Sequence, residues 1–254
     1  MEKLHEYLDF MSEYATYLLG SGVHTSRVVR NVRRIGDALN VEVEMNPTLA
    51  SITISVTDKS NGDSVTRVVA VPALPISFER NSDLSSLSWD AVDRKMTFEE
   101  IREDFRRKIS KPRIDPIFTL LIVAIANASF CRLFGGDWVA MGIVFTSTLV
   151  GFSTKMQLQR NKLNHFLILI VSAFFASICA SAALQFDCTA QVAIATSPLF
   201  LVPGVPLING FIDMAEGYVL IGLSRLINAS LMIACIAIGL AATLTIVSNS
   251  INLL

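Results

Sequence analysis

Apolar residues recur along the first hundred positions with two different periods. Leu4, Tyr7, Leu8, Met11, Tyr14, Ala15 and Leu18 follow helical spacing and predict an amphipathic helix that Gly20, Ser21 and Gly22 bring to an end. A second helix is expected from Thr25 or Ser26, either of which can cap it. Val28, Val32, Ile35 and Leu39 form its inner face, and Arg27, Arg30, Arg33 and Arg34 read as a solvated outer face. The spacing then changes to strict alternation. Ile52, Ile54 and Val56 alternate with Ser and Thr, Val65, Val69 and Val71 form a similar run, and Asn61-Gly62 lies between them, which is a hairpin signal. Thr97 and Glu100 make a capping box for a helix carrying Phe98, Ile101, Phe105 and Ile109, and Lys111-Pro112 ends that helix. Residues 1–113 thus predict a small α+β domain.

Past Ile114 the alternation gives way to long apolar runs. A membrane span needs about 20 such residues. Five candidates follow: Pro116 to Phe134, Trp138 to Thr154, Phe166 to Phe186, Gln191 to Phe211, and Tyr218 to Val247. The second is short for a span. The fifth is longer than one and is expected to begin at the interface and cross from about Leu226. The predicted fold is therefore an all-α membrane bundle over residues 114–254, five transmembrane helices with the fourth broken by Pro-Gly-Val-Pro, preceded by a small cytosolic α+β domain.

The charges agree with this division. Lys and Arg number 21, and 16 of them precede Ile114; Asp and Glu number 22, and 17 of them precede it. The remainder is too poor in charge to cover a soluble domain. A net charge of -1 excludes a general nucleic-acid binder, and the four Arg of the second helix do not change that, because Glu42 and Glu44 follow at once. Short basic loops fix the orientation. Lys108, Lys111 and Arg113 precede the first span, and Lys155, Arg160 and Lys162 lie between the second and third. Both segments are expected in the cytoplasm, with the N-terminus inside and the C-terminus at Leu254 outside, periplasmic or extracellular. Arg132 is a misfit near the outer end of the first span and can snorkel to the interface. Met1 to Phe10 lacks the features of a secretory signal.

Catalytic chemistry is not indicated. His5, His24 and His165 do not cluster with Cys or Asp at ligand spacing, Cys131, Cys179, Cys188 and Cys235 form no CxxC pair, and no nucleophile elbow, phosphate loop or zincin motif is present. No enzyme activity, metal or cofactor is expected. His24 reads as a turn residue. The informative stretch is the fourth span, with Pro203, Gly204 and Pro206 near its middle. Each proline removes a backbone donor, and freed carbonyls in hydrocarbon must be satisfied by a bundle or a cavity. Asn209 and Asp213 follow four residues apart and share a helix face; Glu216 and Arg225 come next. Asp213, Glu216 and Arg225 fit either a transport site or an anchor at the cytoplasmic interface. Asn127 in the first span is costly to bury and is a cavity candidate. The substrate-binding or transport candidates are therefore Pro203, Gly204, Pro206, Asn209, Asp213, Asn127 and Glu216.

The order of a soluble α+β region and five spans, with Leu201-Val-Pro-Gly-Val-Pro-Leu-Ile-Asn-Gly-Phe-Ile-Asp213-Met-Ala-Glu-Gly217 in the fourth, resembles the threonine/serine exporter family, and within it the short, YjjP-like half. Gly22 with Thr25-Ser26-Arg27, and the Gly135-Gly136-Asp137-Trp138 turn, belong to the same resemblance. It implies export of small carboxylate-bearing metabolites, threonine and serine or succinate, across the bacterial inner membrane. It also implies a separate YjjB-like five-span partner, with room for a higher oligomer in the lipid bilayer. An odd number of spans in each half would give two units of inverted topology meeting around a midplane site. The competing reading is a membrane-tethered cytosolic sensor or enzyme whose spans act only as an anchor. A tether needs neither five spans nor a Pro-Gly-Val-Pro break.

Overall fold

The computed structural model describes residues 1–251 except Leu49, Ala73 and Arg113, with Asn249, Ser250 and Ile251 described by backbone alone. Arg113 and the C-terminal end at Leu254, both used in the orientation argument, lie outside the described residues. The chain forms two compact units. One joins Met1–Pro112 to Gly204–Ile227, and the other joins Arg113–Pro203 to Asn228–Leu254. A segment that reads as membrane helix in the sequence thus packs with the N-terminal unit.

That first unit begins with α1 (Glu2–Gly20) and α2 (Thr25–Ala38). Strands β1 (Val41–Pro47), β2 (Ser51–Asp58) and β3 (Ser64–Ala70) form an antiparallel sheet in the order β1-β2-β3, with Val43 opposite Val56 and Val56 opposite Val65. The hairpin expected at Asn61-Gly62 is present, and Gly62 takes φ 76°, a left-handed turn conformation that glycine adopts without penalty. Helices α3 (Phe78–Asp93) and α4 (Phe98–Ile109) follow, and α4 carries the capping box of Thr97 and Glu100. The sheet buries one face: Ile52, Ile54 and Val56 are fully enclosed together with Leu8, Met11, Tyr14 and Leu18 of α1 and Val32 and Ile35 of α2. Phe10 stands edge-on to Phe98 and Phe105, joining α1 to α4. Each such side chain contributes roughly 1.5–3 kcal/mol by leaving water.

Two elements were not predicted from the sequence, β1 and α3. Helix α3 escapes the periodicity test because its buried face is half polar: Asn81, Ser85 and Ser88 are enclosed beside Leu84, Leu87 and Ala91. Those serines are satisfied from α2. Arg27 Nε donates to Ser85 Oγ at 3.1 Å, Asn31 Nδ2 to the same atom at 3.1 Å, and Arg34 Nη1 to Ser88 Oγ at 2.7 Å. Arg34 also stacks its guanidinium 3.6 Å from the Trp89 ring centre. The outer face of α2 is therefore only partly solvated. Arg30 and Arg33 are exposed, while Arg27 and Arg34 hold α3.

The second unit contains α5 (Pro116–Leu133), α6 (Trp138–Arg160), α7 (His165–Ala180) continued by a 3-10 turn to Gln185, α8 (Ala190–Thr196) and a 3-10 turn Leu199–Leu201. Helix α10 (Val219–Ile251) gives its first turns to the first unit and its remainder to the second. Helix α6 runs 23 residues, so the span that reads as short is long enough to cross. Among the described residues four helical segments are long and apolar enough to span a membrane, Pro116–Leu133, Trp138–Arg160, His165–Gln185 and Val219–Ser248. The broken pair Ala190–Leu201 and Gly204–Ala215 makes a fifth if it crosses as one span. Small residues let the helices of this unit approach closely. A methyl group on Gly151 would meet Ala176 Cβ at 2.7 Å, and one on Gly239 would meet the Ile170 carbonyl at 2.4 Å. Asp137 caps α6 through Ala140 N–H at 2.8 Å and also accepts from Thr189 N–H at 2.6 Å, while its own N–H donates to Thr189 Oγ1 at 3.0 Å. These donors hold the Asp137 carboxyl below its ordinary range. Arg132 is tied to the same turn, donating to the Gly136 carbonyl at 3.0 Å.

Candidate functional site

The helix is interrupted at Val202 and Pro203, within the stretch the sequence singles out, but it already stops earlier, before Pro198, and the carbonyls freed there are not left open. Helix α8 stops at Thr196 because Pro198 supplies no N–H to the turn before it. The carbonyl of Ile194, which a residue at 198 would otherwise bond, accepts from Ser197 Oγ at 2.9 Å. In a continuous helix the Ser197 carbonyl would accept from Leu201 N–H; that N–H turns instead to Pro198 at 3.0 Å. Asn127 supplies the missing donors. Its Nδ2 lies 3.1 Å from the Ser197 carbonyl, 3.3 Å from the Thr196 carbonyl and 2.8 Å from Thr148 Oγ1. Asn127, 2% exposed, is thus the cap of a broken helix in the second unit; its Oδ1 has no hydrogen-bond partner among the described residues.

Pro206 breaks nothing. The helix α9 (Gly204–Ala215) begins two residues before it. A proline in the first turn costs no bond, since that N–H has no intrahelical acceptor. The expectation that Pro206 opens a gap in the backbone ladder is corrected on this point; the non-helical residues are Val202 and Pro203. Gly204 has open space where a side chain would begin, so no close contact demands glycine there.

The polar residues downstream converge within the first unit. Past the end of α9 at Ala215 the chain turns at Gly217, which takes φ 92° while Tyr218 N–H bonds the Asp213 carbonyl at 2.8 Å. The chain then returns as α10, and the two backbones touch: a methyl group on Gly222 would lie 2.6 Å from the Gly210 carbonyl. This hairpin sets Arg225 of α10 opposite Asp213 of α9, with Nη1 and Oδ2 3.2 Å apart. Asp213 is fully buried and Arg225 is 9% exposed. A charged pair this enclosed needs further partners, and the turn between α1 and α2 provides them.

That turn is a Schellman motif. Gly22 takes φ 86°, its N–H bonds Leu19 at 3.2 Å, and Val23 N–H bonds Leu18 at 3.1 Å. Only a residue free of Cβ strain fits that left-handed position cheaply. The motif frees two carbonyls. Gly22 accepts from Asn209 Nδ2 at 2.7 Å, and Val23 accepts from Arg225 Nη2 at 3.1 Å. His24 then occupies the N-cap of α2, where Thr25 or Ser26 was expected, and it makes no side-chain cap. Asp213 does this from a distance: Thr25 N–H donates to its Oδ1 at 2.7 Å. A carboxylate at a helix N-terminus is favoured by the helix dipole. Just past the end of α9, Glu216 accepts from Ser26 Oγ and lies 3.4 Å from His24 Nδ1 and 3.5 Å from Arg30 Nη1. The Ser26 hydroxyl, then His24 and Arg30, hold the Glu216 carboxyl below its ordinary range. Burial lowers the His24 pKa, more than the neighbouring Glu216 and Asp213 raise it.

Asn209 and Asp213 share one face of α9, Glu216 follows just past its end, and Arg225 joins them from α10. Asn127 belongs to the other unit. The missed residues are Gly22, Val23, Thr25 and Ser26, nearly two hundred positions away. The sequence marks Gly22 and Thr25-Ser26 as a turn, a helix start and part of the family resemblance, but what points to them as partners is only that a buried Asp and Arg must find donors and acceptors somewhere.

The likeness to known proteins runs along nearly the whole chain. A family model described as "Putative threonine/serine exporter" matches residues 9–247. The chain is 26% identical over 234 residues to "Probable succinate transporter subunit YjjP" of Klebsiella aerogenes, covering 91% of this chain and 90% of that protein. It is 27% identical over 233 residues to the protein of the same name in Escherichia coli, again with 91% and 90% covered. It is 24% identical over 248 residues to "Probable threonine/serine exporter" of Mycobacterium tuberculosis, covering 96% of this chain and 46% of that longer protein. No solved structure gives a significant match. With the pattern running from residue 9 to residue 247, the chain belongs to the threonine/serine exporter family, a family of membrane transporters.

Proposed function

We propose that this chain is one subunit of a bacterial inner-membrane secondary transporter that exports small carboxylate-bearing metabolites, threonine and serine or succinate among them. In this reading it works with a separate five-span membrane partner. Its N-terminus is cytoplasmic and its C-terminus lies outside, as the basic loops at Lys108–Lys111 and Lys155–Lys162 require. The observation that carries the reading is the buried Asp213–Arg225 pair, held in the first unit by Thr25 N–H and the Val23 carbonyl. A helix that served only as an anchor gains nothing from an enclosed charge pair, which costs desolvation on both sides. The names of the relatives supply the substrate class, and the word "subunit" in two of them supports a partner. Asn209, Asp213 and Arg225 are the proposed transport residues, with Glu216 as a tie to α2 and Pro203–Gly204 as the joint that lets α9 start anew.

The test is flux of labelled succinate and of labelled threonine from inverted membrane vesicles holding this chain and its partner. Uptake of either substrate above vesicles lacking one subunit is expected. Equal uptake with this chain omitted would reject the reading and favour a tethered sensor or enzyme.

A further inference from the structure

The two units treat their cations differently. Among the described residues every ion pair lies in the first unit, as with Lys59 and Asp37 or Lys111 and Asp83. Lys155, Arg160 and Lys162 of the second unit are neither ion-paired nor hydrogen-bonded through their side chains among those residues. The neighbouring sequence offers them no counter-charge either, since no Asp or Glu occurs from Trp138 to Phe186.

The three cations gather at one end of the second unit. Helix α6 ends at Arg160, Lys162 takes φ 54° in the turn while its N–H bonds the Gln159 carbonyl at 3.0 Å, and α7 begins at His165. The N-terminus of α7 adds a partial positive charge of its own. Lys155 lies roughly a turn and a half further in along α6. It is half-buried, with its ammonium 5.6 Å from the Phe152 ring centre. A ring face is a weak substitute for a counter-ion, and a cation inside an apolar helix is held at a cost unless its long side chain reaches an anion at the interface. Both α6 and α7 are apolar spans, so their shared turn stands at the level of the lipid headgroups. Leu163 and Leu167, 43% and 46% exposed, offer apolar surface beside the charges. A soluble anion could use only the charges. A phospholipid of net negative charge uses both, whereas a zwitterionic headgroup brings a cation that the cluster repels.

We propose that Lys155, Arg160 and Lys162 form a seat for the phosphate of an anionic phospholipid, whose acyl chain lies along Leu163 and Leu167. The lipid supplies the counter-charge that the second unit lacks and pins the turn between α6 and α7 to the headgroup layer. The seat stands apart from the exporter reading and rests only on α6 and α7 crossing the bilayer.

The experiment titrates the full chain, held in neutral detergent, with short-chain phosphatidylglycerol, and with short-chain phosphatidylcholine as the zwitterionic comparison. Phosphatidylglycerol is expected to bind about tenfold or more tightly than phosphatidylcholine, and to weaken as salt is raised. Lys155→Gln, Arg160→Gln and Lys162→Gln should each weaken it about fivefold, and the triple variant about a hundredfold. Glutamine is a good helix former, so these chains should fold, and their Tm without added lipid checks that they do. Lys155→Arg keeps the charge and should keep the affinity. Lys95→Gln removes an exposed cation of the first unit and should change nothing. Equal affinity for the two lipids, parental affinity in the triple variant, or a loss in Lys95→Gln as large as in Arg160→Gln would each overturn the seat. Cations that serve an acidic protein surface instead would give the second of these results. Displacement of phosphatidylglycerol by inorganic phosphate at comparable concentration would also overturn it, because the site would then belong to a soluble anion.

Discussion

Asn127→Leu tests whether Asn127 caps the broken helix or contacts substrate. The substitution keeps approximate volume and removes the donors that hold the end of α8. Asn127 Nδ2 has two hydrogens shared among Thr148 Oγ1, the Ser197 carbonyl and the Thr196 carbonyl, at 2.8, 3.1 and 3.3 Å. Two hydrogen bonds are therefore lost. Side-chain bonds within membrane bundles are each worth about 0.6 kcal/mol on average and up to about 1.7 kcal/mol. The loss also strands backbone acceptors, each at about 1–3 kcal/mol when fully enclosed. Because α8 cannot regain those bonds while Pro198 is present, relaxation is limited, and about 2–4 kcal/mol is expected. At roughly 2–4 °C per kcal/mol for a chain of this size, Tm of the purified protein in detergent should fall by about 4–16 °C. Export per folded molecule should stay within about twofold of the parent in this account. Flux abolished with Tm moved by less than about 1 °C would refute the capping argument and return Asn127 to the substrate path.

Three further predictions follow from the first unit. Gly222→Ala places a methyl 2.6 Å from the Gly210 carbonyl; α9 and α10 must part, with a stability loss of about 1–3 kcal/mol and a sharp drop in export, read by Tm and vesicle flux at matched membrane levels. Pro206→Ala should change stability by less than about 1 kcal/mol and leave export near the parental level, whereas a proline that holds open a substrate gap would lose export at once. Acid should weaken the α2 contact in two steps. His24 has a lowered pKa when folded, so its contribution is present above its ordinary 6.5 and is lost as the pH falls below it; Glu216 is likewise lowered, and its contribution is lost below its ordinary 4.5. Thermal unfolding against pH should therefore flatten just below pH 6.5 in His24→Gln and below pH 4.5 in Glu216→Gln, and identical curves for parent and both variants would contradict the assignment.

Much of the chain is legible without coordinates. The period-two runs at Ile52–Val56 and Val65–Val71, the capping box at Thr97 and Glu100, and the long apolar stretches are local signals, each set by neighbours within one or two turns. So is the break at Pro203. The breadth of the membrane part follows from the scarcity of charge past Ile114, since so few ionised side chains cannot solvate a protein surface. Helix α3 stays hidden because Ser85 and Ser88 are buried only by virtue of Arg27, Asn31 and Arg34 on another helix. The role of Asn127 is equally non-local, because the carbonyls it satisfies lie about 70 residues further on. The pairing of Asp213 with Thr25 spans 188 positions. Spacing along a chain reveals which residues share a helix face, so Asn209 and Asp213 could be grouped in advance. It carries no information on which distant backbone N–H or carbonyl meets that face, because such a partner is chosen by packing. An enclosed charge requires a partner on energetic grounds alone; that Gly22, Val23 and Thr25 are the partners was decided by the fold.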